Sequence, residues 1–290
     1  MKKIAYLAST VTLPGSPNRR SDAVEHDRMM DALREPFAAR SLHIHDVAWN
    51  DPDAEWSDYD GALIGTTWDY WDHQETFLKA LNQIEASVPL FNPAALVAWN
   101  SHKGYLRDLE AKGARLIPTL WMDQVTPVLA AQAFDQFGCD DLVFKRQVGA
   151  GADGQHRLKR GDQVPEMPYA MMVQPFLAMI QTEGEISFIY IDGKFCHALI
   201  KRAADGDYRI QSTYGGIEQA ITPSTGDLAA AQAIVDTLDG PPLYARVDML
   251  RSDDGGLLLM EMELIEPYLY PLEGPELGPR LAEAISRRLD

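Results

Sequence analysis

Asp248, Glu261 and Glu263 lie in a segment, residues 244–263, whose apolar and polar residues alternate on both sides of Asp253-Asp254-Gly255-Gly256. That pattern predicts a β-hairpin. A two-residue turn at Asp254-Gly255, or a four-residue loop at 253–256, gives one register, with Asp248 opposite Glu261 and Arg246 opposite Glu263. Strand side chains alternate in direction, so the three acids share one face, while Val247, Met249, Met260 and Met262 share the other, a core-like face. Three carboxylates on an otherwise apolar sheet repel one another and lose hydration, so they need a counter-charge. Mg²⁺, a hard ion held by carboxylates and substrate phosphates, supplies one. The alternative is a solvated face on which Arg246 simply pairs with Glu263.

A second constellation carries positive charge. Lys145 ends a predicted strand and is followed by Gly149, Gly151 and Gly154. Glycines let backbone N–H groups approach an anion, and the lysine adds a point charge. The spacing is neither a Walker A loop nor a dinucleotide fingerprint, and a plain hairpin turn explains it equally. Lys103 sits on a predicted helix and alone is an ordinary surface lysine. Gln174-Pro175-Phe176-Leu177 ends a strand and could form a hinge against a purine edge. Arg202 and Arg209 flank a loop leading to Gly215-Gly216, and arginines there suit either structural ion pairs or phosphate.

The elements that must position these residues fall into an alternating first part and a mixed second part. Predicted strands at 4–8, 42–49 and 61–65 alternate with helices at 24–39 and 77–86, which implies a small parallel α/β domain over residues 1–92. Loops after parallel strands collect at the carboxyl edge of the sheet, where ligands bind. The loop 66–71 is of that kind. Its Trp68, Asp69 and Tyr70 are substrate-site candidates, or else interdomain packing. Further on, strands are expected at 113–120, 142–146, 156–158, 169–176, 185–191 and 194–200. The last two join through Asp192-Gly193. Helices are expected at 94–99, 101–112, 127–137, 225–238 and 276–289.

Composition limits the partners. The 290 residues contain 43 Asp plus Glu against 26 Lys plus Arg, a net charge of −17. Such a surface repels nucleic acid and anionic membranes, so neither is expected as a partner. Two distant cysteines, Cys139 and Cys196, form neither a metal-ligand spacing nor a disulfide framework. With no signal peptide and no stretch long enough to span a bilayer, a cytoplasmic protein is expected. A homo-oligomer is compatible with all of this.

Taken in order, the chain has a first lysine, a strand lysine with a glycine loop, a hinge, an acid, two arginines, then Asp and Glu-x-Glu on a hairpin. That order resembles the ATP-grasp superfamily of carboxylate–amine ligases over roughly residues 95–270. It is most similar to the glutathione synthetase and ribosomal-protein glutamate ligase branch. More narrowly, Trp68-Asp69-Tyr70, Trp99-Asn100-x-x-Lys103 and Glu263-Leu264-Ile265-Glu266-Pro267 resemble a smaller branch. That branch includes the cyclo-ligase that closes O-ureido-serine to cycloserine. The resemblance implies an N-terminal Rossmann-like α/β domain (1–92) and a two-lobed ATP-grasp core, with a central lobe (93–168) and a C-terminal lobe (169–290). It implies ATP and two Mg²⁺ ions as cofactors. Lys103 and Lys145 would contact phosphates under a flap at Gly149–Gly154. Gln174, Phe176 and Leu177 would form the adenine hinge. Glu185 would hold the ribose, with Glu183 in reserve. Arg202 would face the transferred phosphate or acyl-phosphate, Arg209 would hold a carboxylate or the reacting acyl oxygens, and Asp248, Glu261 and Glu263 would bind the metals. In this sequence Gln211 and Glu263 stand where glutathione synthetases have Asn. The expected activity is formation of an acyl-phosphate on a small amino-acid-like acid, captured by a nitrogen nucleophile, either its own or that of a second molecule. A non-catalytic nucleotide sensor, or a kinase stopping at phosphoryl transfer, are the alternatives on this fold.

Overall fold

The computed structural model describes residues 1–149, 151–204 and 215–290. Arg209 and Gln211 lie outside the described residues. Four parallel strands form the first sheet: β1 (Lys2–Ala8), β2 (Leu42–Ala48), β3 (Gly61–Ile64) and β4 (Leu90–Phe91), in the order β2-β1-β3-β4. Helices α1 (Val24–Ala38) and α2 (Gln74–Ser87) cover it, α1 burying Met29, Met30, Leu33 and Phe37 at helical spacing. The short β4 is an addition to the three expected strands. Two residues leave no alternation for the sequence to display.

After α3 (Ala94–Asn100) and α4 (Tyr105–Ala111), a small antiparallel sheet is built from β5 (Leu120–Met122), β6 (Asp141–Arg146), β7 (His156–Lys159) and β8 (Met171–Pro175), ordered β5-β8-β6-β7 and backed by α5 (Pro127–Phe137). Through its pairing with β5 and β6, β8 joins the smaller sheet, so Met171–Pro175 pack with elements that precede residue 168. The stretch 113–120 is mostly not strand. Leu116 instead forms an isolated bridge with Leu259, and Leu259 donates its N–H to Arg115 O at 2.7 Å. That contact covers the edge of the last sheet.

The larger antiparallel sheet comprises β9 (Glu185–Ile191), β10 (Lys194–Arg202), β11 (Ile217–Ile221), β12 (Tyr244–Arg251) and β13 (Leu257–Glu263), ordered β11-β10-β9-β12-β13. The short α6 (Met179–Thr182) links the lobes, and α7 (Thr225–Val235) packs against this sheet. The last helix, α8 (Leu277–Leu289), joins the N-terminal core, where Leu277, Leu281 and Ile285 cluster with Met29, Met30 and Leu33. Among the described residues no helix is long and apolar enough to cross a membrane.

Asn92 fastens the first domain to the larger antiparallel sheet. Fully buried with φ of 63°, it donates to Tyr244 O and Leu264 O at 2.9 and 2.8 Å and accepts from Leu243 N at 2.8 Å. Asn92→Ala leaves three buried backbone groups unpaired, each worth about 1–3 kcal/mol. It is expected to destabilise the fold by about 3 kcal/mol or more in denaturant unfolding. A loss below about 1 kcal/mol contradicts this role.

Candidate active site

The hairpin forms with the expected pairing at its acidic end: Asp248 lies opposite Glu261 and Arg246 opposite Glu263. Near the turn the register is one step different, with Arg251 opposite Leu257 and Met249 opposite Leu259. Ser252 N donates to Gly256 O at 2.8 Å, which closes a loop centred on Asp254. Met260 is the extra, bulged residue that restores the acidic register. The bulge changes its side: Val247, Met249 and Met262 enter the core, whereas Met260 lines the cleft between the lobes.

The three carboxylates hold cations. Asp248, 2% exposed, accepts from Arg246 Nε at 3.0 Å, from Lys201 Nζ at 3.4 Å and from Ser187 Oγ. Burial opposes its charge, but Arg246 and Lys201 outweigh burial and keep it below the usual carboxylate range. Glu263 pairs with Arg246, yet burial raises its carboxyl to about 7. Glu261 pairs with Lys103 at 2.7 Å. Glu185 is buried on β9 and pairs with Lys201; burial lifts it to about 7, and its Oε2 has no partner among the described residues. Among the described residues no three Asp, Glu, His or Cys side chains are arranged to hold an ion by themselves. The donors are nevertheless hard oxygens on one face. That set suits Mg²⁺, which ordinarily takes one or two carboxylates and completes its shell with water and phosphate oxygens.

Lys145 differs from the other cations. It lines the same cleft but makes no hydrogen bond or ion pair with any described residue. Burial pulls its ammonium below the usual lysine value, while Glu261 and Glu185 pull the other way. A desolvated cation without a partner is an anion site in waiting. Lys145→Ala is expected to weaken binding of a non-hydrolysable ATP analogue about 10–100-fold, the worth of one charge-assisted hydrogen bond. Calorimetry showing unchanged affinity contradicts this.

Lys103 is not on a helix. It sits in the turn between α3 and α4, where its N–H donates to Gln147 O at 2.8 Å and its Nζ to Gly149 O at 2.7 Å. The lysine thus ties the glycine loop to Glu261. Gly149, Gly151 and Gly154 have φ of 143°, 63° and 63°, backbone that glycine adopts readily. The loop residues Gly149, Gly151, Ala152 and Asp153 face the cleft. At its other end the cleft is apolar, lined by Ile117, Val143, Leu177, Ile180, Leu250 and Met260, a slot suited to a flat ring. Gln174 lines the cleft, but its amide donates to Thr119 Oγ1 at 2.9 Å. Phe176 also lines it and carries the Arg157 guanidinium 3.4 Å from its ring centroid. Its N–H is engaged by Asp141 O, so that amide is not available to a ligand.

Other expected residues do not converge. Arg202 lies on the outer face of β10, exposed, and donates to Gln219 Oε1 at 3.0 Å. Its neighbour Lys201 lines the cleft, and Arg202 does not. Glu183 is held by Arg251 at 2.9 Å, away from the cleft. In the loop 66–71, Trp68 Nε1 donates to Glu266 O at 3.0 Å, and Asp69 accepts from Trp49 Nε1 at 2.8 Å. Tyr70 faces a second, smaller cavity beside the cleft, together with Glu261, Glu263 and Glu266. Lys201 carries no mark in the sequence beyond being a charge next to apolar residues, Glu266 is marked only as part of Glu263-Leu264-Ile265-Glu266-Pro267, and Arg246 was legible only as a partner for Glu263.

Comparison with known proteins follows the same lines. Residues 4–92 match the family model of the D-cycloserine synthetase DcsG N-terminal domain. The cycloserine biosynthesis protein DcsG of Streptomyces lavendulae is 27% identical, with 99% of this chain and 98% of that protein covered. The crystal structure of D-cycloserine synthetase DcsG superposes with a TM-score of 0.84 at 24% identity, covering 99% of this chain and 100% of that one. D-alanine–D-alanine ligase from Bacillus anthracis gives a TM-score of 0.71 at 18% identity, covering 100% and 97%. The chain has the ATP-grasp fold from end to end and resembles these ligases along its whole length.

Proposed function

We propose that the protein uses Mg²⁺ and ATP to convert the carboxylate of a small amino-acid-like substrate into an acyl-phosphate, which a nitrogen of the same molecule then attacks. The observation that carries this is Lys145, a half-buried cation whose ammonium has no partner among the described residues, placed in one cleft with Lys201 and Arg246. The apolar slot at the far end takes the adenine, and Glu185 offers its unpartnered oxygen to the ribose. As the substrate carboxylate attacks the γ-phosphorus, Lys145, Lys201 and Arg246 offset the charge that develops on the transferring group. Asp248 holds Lys201 and Arg246 in place and is joined by Glu261 and Glu263 as ligand for Mg²⁺. The metal supplies further charge neutralisation when bound. The glycine loop excludes water, which would otherwise hydrolyse the acyl-phosphate. ADP and phosphate leave, and the new bond is C–N. The relation to DcsG supports a ring-closing variant of this chemistry, and the acidic surface offers no long-range attraction to a polyanionic acceptor.

Screening amino acids and their ureido and hydroxyl derivatives for ADP release, with the product mass measured, tests the proposal. ADP release with a product formed from a single substrate molecule supports ring closure. A product joining two substrate molecules overturns the intramolecular step. ATP binding without ADP release across the panel overturns the ligase assignment in favour of a sensor.

A further inference from the structure

The apolar end of the main cleft carries a polar side chain whose orientation is fixed from behind. Gln174 of β8 pairs with Val143 of β6, and both line the cleft. Gln174 is 3% exposed, and its Nε2 donates to Thr119 Oγ1 at 2.9 Å. The Thr119 hydroxyl in turn donates to Ile117 O at 2.7 Å. A hydroxyl has one proton to give. With that proton committed to Ile117 O, Thr119 Oγ1 only accepts, and what it accepts is an N–H of Gln174. A flipped amide would set two oxygens 2.9 Å apart with no proton between them. The carbonyl behind this relay is itself anchored. Pro118 fixes φ near about −65° between Ile117 and Thr119, and Ile117 N donates to Leu259 O of β13 at 3.3 Å. The Gln174 oxygen is left for the cleft. It makes no hydrogen bond with any described residue, and it is open to the cleft. Around it stand Ile117, Leu177, Ile180, Leu250 and Met260. An unpaired acceptor in an apolar slot is satisfied by a donor on the ligand and repels an acceptor.

We infer that Thr119 is a positioning residue for nucleotide selection: it locks the Gln174 amide with its oxygen toward the cleft, and that oxygen admits adenine and refuses guanine. Adenine carries an exocyclic amine, a donor, at the position where guanine carries a carbonyl oxygen, an acceptor. The same amide turned the other way would present N–H groups and favour guanine. Thr119 does not line the cleft and acts only through Gln174. The inference rests on the ATP reading of the cleft and extends it to the choice between purines. Neither residue takes part in phosphoryl transfer, so the choice is made in binding.

Calorimetric titration with non-hydrolysable analogues of ATP and GTP, each with Mg²⁺, tests this on the full chain. Wild-type protein is expected to bind the ATP analogue at least about ten-fold more tightly, the cost of facing a buried acceptor with another acceptor. Thr119→Val keeps the shape of the side chain and removes the acceptor, so the amide loses its preferred orientation. The ATP analogue is then expected to bind more weakly and the GTP analogue more tightly, bringing the ratio of affinities down toward one. Thr119→Ser keeps the hydroxyl and is expected to keep the wild-type ratio. A purely structural role for Thr119 would weaken both analogues together and leave the ratio unchanged, and that result overturns the inference. Gln174→Leu gives a second reading should Thr119→Val fold poorly. It removes the amide and is expected to bring the two affinities together, and a wild-type ratio in that variant overturns the inference as well. So does a wild type that binds the two analogues equally. Failure of the ATP reading shows differently: no binding of either analogue overturns that reading and this inference with it, whereas an unchanged ratio in the variants overturns this inference alone.

Discussion

Lys201→Met is expected to lower kcat/KM for ligation by roughly 10²-fold or more, the usual loss when one preorganised donor to a developing anion is removed. Arg202→Ala, one residue away, is expected to stay within about two-fold, because Arg202 faces Gln219 on the outer side of β10. The pair of variants separates charge in the cleft from charge on the strand. Lys201 also compensates Glu185 and Asp248, both buried, so Lys201→Met should lose stability as well, about 3–5 kcal/mol if both acids stay ionised. Circular dichroism and steady-state kinetics on the folded fraction keep the two effects apart. Comparable losses of kcat/KM in the two variants would contradict the placement of Lys201.

Glu261→Gln is expected to lower turnover by about 10³-fold, since loss of a metal-bound carboxylate forfeits several kcal/mol of transition-state stabilisation at 1.36 kcal/mol per decade. The fold should survive. Glu261 is partly exposed on the cleft face, and the core face of the hairpin, Val247, Met249 and Met262, is untouched. The Mg²⁺ concentration giving half-maximal rate should rise in the same variant. Near-normal activity at ordinary Mg²⁺ would remove Glu261 from the metal site.

Much of this site was legible because strand alternation is a strong local signal. Three acids at alternate positions around a turn can share a face only on a hairpin, and the expected pairs Asp248–Glu261 and Arg246–Glu263 are the pairs that form. The parallel α/β domain was legible for the same reason. What could not be read were single-residue departures from regularity. The turn at Asp192-Gly193 pairs Lys194 with Ile191, and an unbroken ladder from there would set Ile200 opposite Glu185 and place Arg202 on the same face. A bulge at Cys196 advances the strand by one, so Lys201 meets Glu185 instead. Neither bulge, at Cys196 or Met260, has a glycine or proline to announce it.

Tertiary contacts hid the rest. Lys103 belongs to a turn because its N–H is drawn to Gln147 O just after β6, a contact no helical periodicity predicts. Glu266 stands out in the sequence only as part of Glu263-Leu264-Ile265-Glu266-Pro267, and nothing in that run predicts that Trp68, 198 positions earlier, donates to its carbonyl. In Trp68-Asp69-Tyr70 the residue types suggested a site, but only Tyr70 faces a cavity. Asp69 is spent on Trp49, which packs on the N-terminal core.

The central claim is that a substrate carboxylate takes the γ-phosphoryl group of ATP in the cleft formed by Lys145, Lys201 and Arg246. Labelling the carboxylate of an active acid with ¹⁸O and examining the phosphate released with ADP measures this directly. One ¹⁸O atom in each phosphate is the expected result, because the acyl-phosphate gives up its bridging oxygen when nitrogen attacks the acyl carbon. ADP release accompanied only by unlabelled phosphate would contradict the account.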